Sequence, residues 1–159
     1  MARPDILCVP ELTTPHGFET RRGRLLDDLP SPAARLHQAH GAEVLLIGPS
    51  TELSPFQSTT GNDRPYGDAL ITNRQGVTLA ITTADCLPAL VFDPATGSIG
   101  AAHAGWRGVV LGVLPAMIGA MVREFGSQPQ NCVIALGPCI SSNAYLVADD
   151  VVISIRAAG

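Results

Sequence analysis

The chain contains no lysine; all ten of its basic residues are arginine. Charged residues make up only 15%, and the formal net charge is −4. Nucleic-acid-binding domains carry a basic stripe. The one basic run here, Arg21, Arg22 and Arg24, is too short for that and reads as a solvated loop, so no nucleic-acid partner is expected. No apolar run reaches the ~18 residues of a membrane span. Met1 to Pro10 lacks the charged and then apolar pattern of a signal peptide. No membrane partner is expected either, and the expected location is cytoplasmic. The four cysteines, Cys8, Cys86, Cys132 and Cys139, include no CxxC pair. In a reducing compartment they read as thiols or ligands rather than disulfides.

Apolar residues make up 46% of the 159 positions, which excludes a disordered composition and favours a single domain. A domain of this size buries roughly 68–70% of its unfolded surface and needs no covalent staples. Its coarse pattern is strand-rich. Val44–Ile47, Ala69–Thr72 and Val133–Leu136 are short apolar runs that read as strands. Val77 to Thr82 alternates apolar and polar residues, and Leu87–Phe92 runs into an Asp93–Gly97 turn and then Ile99–His103. Ala33–Gln38 reads as a turn of helix. Residues 48–67 carry prolines and many hydroxyls and read as a long loop of the kind that is usually functional. The strongest helix is marked by Val110, Leu114, Met117, Ile118, Met121 and Phe125. Pro115 inside it predicts a kink or a late start, and Gly126 a C-cap. Successive strands outnumber helices. The expected fold class is therefore α+β, a mixed β-sheet covered by helices.

Two segments stand out chemically. Thr82-Thr83-Ala84-Asp85-Cys86-Leu87-Pro88 sets a carboxylate beside a thiol between apolar strands. Ala102-His103-Ala104-Gly105-Trp106-Arg107-Gly108 places a histidine, the only tryptophan and an arginine between a strand end and a helix start, a natural anion site. A third piece, His37-Gln38-Ala39-His40-Gly41, adds two histidines. A catalytic zinc takes three protein ligands and keeps one position open, and one Cys with two His fits that count. Taken singly, a cysteine in an apolar run is most often core packing, and a lone histidine a satisfied polar residue. Asp85 reads either as an acid/base group or partner to a ligand histidine, or as a structural hydrogen-bonding residue of a tight turn. Trp106 reads as a core residue or as a stacking platform.

The order of five segments narrows this. Leu36-His37-Gln38-Ala39-His40-Gly41, Gly67-Asp68-Ala69-Leu70-Ile71-Thr72, Thr83-Ala84-Asp85-Cys86-Leu87-Pro88, Ala102 to Gly108 and Leu136-Gly137-Pro138 together resemble the laccase-domain family, also called multicopper polyphenol oxidoreductases or YfiH-like proteins. His16-Gly17-Phe18 with Thr20-Arg21 is similar to the family's N-terminal signature. The resemblance implies an α+β fold shared distantly with cytotoxic-necrotizing-factor toxins. It implies metal ligands His40, Cys86 and His103; Cys8, Cys132 and Cys139 are expected to be structural. It also implies zinc-dependent chemistry on purine nucleosides, by phosphorolysis, adenosine deamination or both, with a nucleoside and phosphate as small-molecule partners and a homo-oligomer as a further expectation. In that reading Asp85 and Arg107 are catalytic, and Gln38, Trp106 and Arg107 bind substrate. There are departures from the family pattern: Arg22-Gly23-Arg24 lacks one glycine, Asn143 and Ala144 replace a cysteine pair, and Leu146 replaces a glutamate. The family pattern also leads one to expect a further C-terminal portion beyond Gly159.

Three rival readings remain. A multicopper oxidase needs roughly ten imidazoles for a type-1 and a trinuclear site, and only four histidines are present. A single-copper polyphenol oxidoreductase could still use the same His, Cys and His set. A metal-free hydrolase would use Cys86 as nucleophile and His103 as base. A metal-binding domain without catalysis is the third.

Overall fold

The structure, a computed structural model, describes residues 6–19 and 33–158. The Arg21, Arg22 and Arg24 run and Thr20 of the N-terminal signature lie outside the described residues. The architecture is α+β, with a mixed five-stranded sheet at its centre.

The strands are β1 (Ile6–Leu7), β2 (Phe18–Glu19), β3 (Ala33–Ala34), β4 (Val44–Leu46), β5 (Ala69–Thr72), β6 (Thr78–Leu79), β7 (Leu87–Asp93), β8 (Ser98–Ala104) and β9 (Val133–Leu136). The helices are α1 (Trp106–Val110), α2 (Val113–Phe125) and α3 (Asp149–Ala157). The main sheet runs β4-β5-β8-β7-β9. Its β4/β5 pair is parallel and its other pairs antiparallel. β1 pairs with β2, and β3 lies parallel to β6.

β8 is a central strand built almost wholly from small residues, and α2 lies across it. At Gly100 a Cβ would come within 2.9 Å of the Met117 sulfur, so the helix can sit this close only over glycine. Val113, Met117, Ala120 and Met121 of α2 bury against Ala69, Ile71, Ala102 and Ala104. Full burial of side chains such as Ile71 and Met117 contributes about 1.5–3 kcal/mol each. Leu70 points the other way, into a second core with Ala34, Leu36, Ile47, Phe56 and Val77. β5 is thus buried on both faces, which explains its unbroken apolar run.

The β7–β8 hairpin turns at Asp93–Gly97. Gly97 takes a positive φ of 68° and its N–H bonds the Asp93 carbonyl at 2.9 Å. The fully buried Asp93 side chain accepts from the Ala95 N–H at 2.9 Å and the Thr96 hydroxyl at 3.0 Å. Burial alone would raise this carboxyl, but bonds from Ser127, Ala95 and Thr96 outweigh that and hold it below the usual carboxylate range.

Two local expectations change, and a third, the late start of the helix that holds Pro115, is met. Ala33–Gln38 is not a helical turn. Ala34 and Leu36 alternate into the second core, and the Arg35 N–H bonds the Phe56 carbonyl at 2.9 Å. The distant partner β6 makes this an extended segment. The Val77–Thr82 strand shrinks to β6, because only the part facing β3 finds a ladder partner. The long helix breaks at Gly112, with φ 78°, and restarts at Val113. Pro115 then falls in the first turn of α2, where its missing N–H removes no helical bond. The 48–67 segment carries two short 3₁₀ turns, Ser54–Gln57 and Gly61–Asp63, and is pinned by buried Phe56.

Candidate metal centre

Three separate pieces of chain meet at one end of the sheet. Cys86 directly precedes β7, and His103 lies in β8 opposite Pro88. His40 sits in the bend before β4. Its φ is +60°, the only positive φ among the described non-glycine residues. That left-handed backbone is uncommon for a side-chain-bearing residue and is maintained only by surrounding structure.

The surrounding structure is Asp68. It is fully buried at the start of β5. Its carboxylate accepts the backbone N–H groups of Ala39 at 3.2 Å, His40 at 3.0 Å and Gly41 at 2.7 Å. The same side chain meets Nδ1 of His103 at 2.8 Å. The backbones join as well, the His103 N–H donating to the Asp68 carbonyl at 2.8 Å. One carboxylate therefore sets both the strained loop that carries His40 and the ring of His103. With Nδ1–H directed at Asp68, the Nε2 lone pair of His103 is left for a ligand.

One donor atom each from His40, Cys86 and His103 lies within 4.8 Å of the other two. Donors on one tetrahedral ion, each bonded at about 2.0–2.3 Å, lie about 3.3–3.8 Å apart. Side-chain shifts totalling about 1 Å would bring all three to a shared ion. The His40 and His103 rings stand edge to face, with centroids 4.7 Å apart. Gly105 leaves the space beside them open: a Cβ there would meet His40 Cδ2 at 2.9 Å and Cys86 Sγ at 3.2 Å. Gly108 lets α1 press in behind, since its Cβ would meet the Gly41 carbonyl at 2.8 Å. A soft thiol and two imidazoles, one of them oriented by a carboxylate, suit zinc or copper. Burial pushes the Cys86 thiol up, and the charges of Asp85 and Asp68 push it further. The same negative field attracts a dication, which would reverse the thiol's preference and bind it as thiolate.

The other residues singled out from sequence sit as follows. His37 holds the long loop instead, with Nδ1 3.2 Å from the Gly61 carbonyl and its ring 4.2 Å from that of Tyr66. His16 accepts the Val9 N–H at 2.8 Å and bonds the Thr14 carbonyl at 2.8 Å, closing the β1–β2 connection. Gln38 clamps the Thr82 backbone, donating to its carbonyl at 2.7 Å and accepting its N–H at 3.0 Å. This ties the His40 loop to the Cys86 segment. Arg107 is exposed, with its guanidinium carbon 4.3 Å from the Trp106 ring centroid. Asp85 is exposed and lines a cleft of about 440 Å³, together with Cys86, Trp106, Cys139, Tyr145 and Ile155. That volume lies in the range of small-molecule sites. Cys139 is thus an exposed residue of the cleft wall rather than a structural thiol. Local sequence alone assigns Asp68 no role. Its signal is a lone acid directly before the apolar run Ala69–Ile71 of β5, an arrangement that requires buried partners.

A mixed sheet that brings two imidazoles together with one thiol, the thiol lining a cleft, defines an α+β protein with a His, Cys, His group able to take a metal. Residues 14–159 match the family described as multi-copper polyphenol oxidoreductase laccase. The chain belongs to that family. It is 36% identical over 184 aligned residues to a protein of Deinococcus radiodurans named purine nucleoside phosphorylase, covering 97% of this chain and 68% of that one. It is 37% identical over 140 residues to purine nucleoside phosphorylase YfiH of Escherichia coli, covering 86% of this chain and 51% of that one. Among solved structures, YlmD from Geobacillus stearothermophilus superposes with a TM-score of 0.71 at 33% identity, covering 79% of this chain and 46% of that one. The chain spans about half to two thirds of the length of these relatives.

Proposed function

We propose that this chain carries the metal centre of a zinc-dependent enzyme acting on purine nucleosides, by phosphorolysis, by deamination of adenosine, or both. The carrying observation is the convergence of His40, Cys86 and His103, with Cys86 lining the cleft and Asp68 behind His103. The names of the relatives support the substrate class.

On this reading His40, Cys86 and His103 hold the ion. When bound, zinc supplies Lewis acidity and lowers the pKa of water in its open position toward ~7. Asp68 keeps His103 in the tautomer that offers Nε2. The Trp106 ring offers a flat apolar face to a purine base. Arg107 and the first-turn N–H groups of α1 hold phosphate or another anion. Asp85, exposed at the cleft, takes up or delivers the proton. Gln38 acts by holding the ligand loop against Thr82 rather than by touching substrate, because both ends of its amide are already engaged.

The test is purified protein incubated with inosine, guanosine and adenosine, with and without phosphate, with free base and ammonia measured. Activity lost on chelation and restored by zinc supports the proposal. Flat activity in zinc-loaded protein overturns it and leaves a non-catalytic metal-binding domain. A second reading has its own support. Cys86, His103 and Asp68 stand in line as thiol, imidazole and carboxylate, the arrangement of a metal-free cysteine hydrolase. In that case iodoacetamide abolishes activity and chelators do not. A single-copper oxidoreductase, suggested by the family description, requires strong visible absorption after copper loading and oxidation of a phenol.

A further inference from the structure

Cys86 and Cys139 line the same cleft. β7 and β9 pair antiparallel as far as Ala89 opposite Leu136. Beyond the end of β9 two backbone bonds still join the segments: the Gly137 N–H donates to the Pro88 carbonyl at 2.9 Å and the Ile140 N–H to the Asp85 carbonyl at 3.0 Å. Spaced three residues apart rather than the two of a regular ladder, they bracket Cys86-Leu87 on one segment and Pro138-Cys139 on the other, so the cysteines lie on facing segments. Facing residues of antiparallel segments have Cβ atoms about 4.5–8 Å apart, from direct to diagonal neighbours. A disulfide needs Cβ atoms about 3.5–4.5 Å apart. The segment 137–148 carrying Cys139 has neither helix nor strand and is mostly exposed, so it can close the difference. The other two thiols are engaged elsewhere, Cys8 with the His16 carbonyl at 3.4 Å and Cys132 with the Gln128 carbonyl at 3.6 Å.

We propose that Cys86 and Cys139 form a reversible disulfide that withdraws the one sulfur donor from the metal group. This rests on the metal reading above only for its effect on the ion. With a hydroperoxide as oxidant, one peroxide oxygen transfers to the Cys86 sulfur, giving a sulfenic acid and water. The Cys139 sulfur then displaces the hydroxyl, which leaves as a second water as the S–S bond forms. Two S–H bonds are lost, one S–S bond is made, and hydrogen peroxide is reduced to two waters. Thiol exchange with a reductant reverses the step. With Cys86 consumed, two imidazoles remain, too few to hold a zinc site of the usual three-ligand kind.

The test treats the full chain, zinc-loaded and metal-free, with near-stoichiometric hydrogen peroxide. Peptide mass, free thiols and zinc release are measured. The expected result is a cross-linked Cys86–Cys139 peptide, loss of two of the four thiols, and release of the bound zinc, all reversed by dithiothreitol. Cys139→Ser should take up zinc like the parent but form no internal cross-link, and its peroxide-induced zinc loss should not reverse. A cross-link through Cys8 or Cys132, or reversible zinc release from Cys139→Ser at the parental rate, overturns the proposal. If the chain takes up no zinc, the metal reading fails on its own. The metal-free sample still decides the disulfide: the cross-linked peptide supports it, and four free thiols after treatment sink it.

Discussion

Replacing Asp68 with asparagine tests how one buried carboxylate organises the centre. Its two oxygens accept from four N–H donors, three on the backbone at Ala39–Gly41 and one on the His103 ring. Asparagine keeps the shape but turns one oxygen into an NH₂ donor. If the remaining oxygen stays on His103, the new amide faces the N–H groups of Ala39 and Gly41. Leaving these two part-buried donors without their partner costs about 1 kcal/mol each, the low end of the range because water reaches them, so roughly 2 kcal/mol is lost. That is a large share of a typical domain stability of about 5–15 kcal/mol. The left-handed backbone at His40, worth about 1–3 kcal/mol of strain, loses its support as well. Zinc affinity should fall about 10- to 100-fold, the usual effect of removing the partner of a ligand histidine. Denaturant titration of metal-free protein reads the first effect, and competition with a chromogenic chelator the second. Parental stability together with parental zinc affinity in Asp68→Asn would refute the reasoning that this side chain positions both ligands. Asp68→Ala, which strands all four donors, should fail to accumulate as folded protein.

Further substitutions separate ligand from scaffold. Cys86→Ala and His103→Ala should each lose the metal and the activity, while His37→Ala keeps the metal and loosens the 48–67 loop, read by elemental analysis and limited proteolysis; an emptied site in His37→Ala would reverse the choice between the two histidines of the motif. Gly105→Ala should weaken zinc binding at least 10-fold (about 1.4 kcal/mol) in the chelator assay, because its Cβ meets His40 at 2.9 Å and Cys86 at 3.2 Å; unchanged affinity would mean that the ligands have room to retreat. Asp93 has a depressed carboxyl, so its stabilisation is present above the unfolded value of about 3.9 and is lost as pH falls through the lower folded value. The gap in melting temperature between the parent and Asp93→Asn should therefore be wide near neutral pH and narrow as pH falls below the ordinary carboxylate range, and a gap independent of pH would contradict the sign.

What could be read from the residues alone was local or carried by residue type. Apolar runs marked β5, β7 and β8 because strands buried on both faces tolerate little else, and a shorter run marked the edge strand β9, whose Ile134 and Leu136 are exposed. The helical period marked α2, and Gly126 its end. The scarcity of histidine narrowed the metal chemistry before any geometry was known. Tertiary structure decided everything that depends on register. Ala33 and Ala34 became a strand because β6 lies beside them. His40 and not His37 faces Cys86 because Asp68, 28 residues on, draws its backbone into a left-handed bend. Cys139 reaches the cleft that Cys86 lines because β9 pairs with β7 and carries the following segment there. Periodicity records which face of an element is buried. Which side chains meet across the sheet is set by long-range pairing, whose energy is shared among many contacts and written in no single segment.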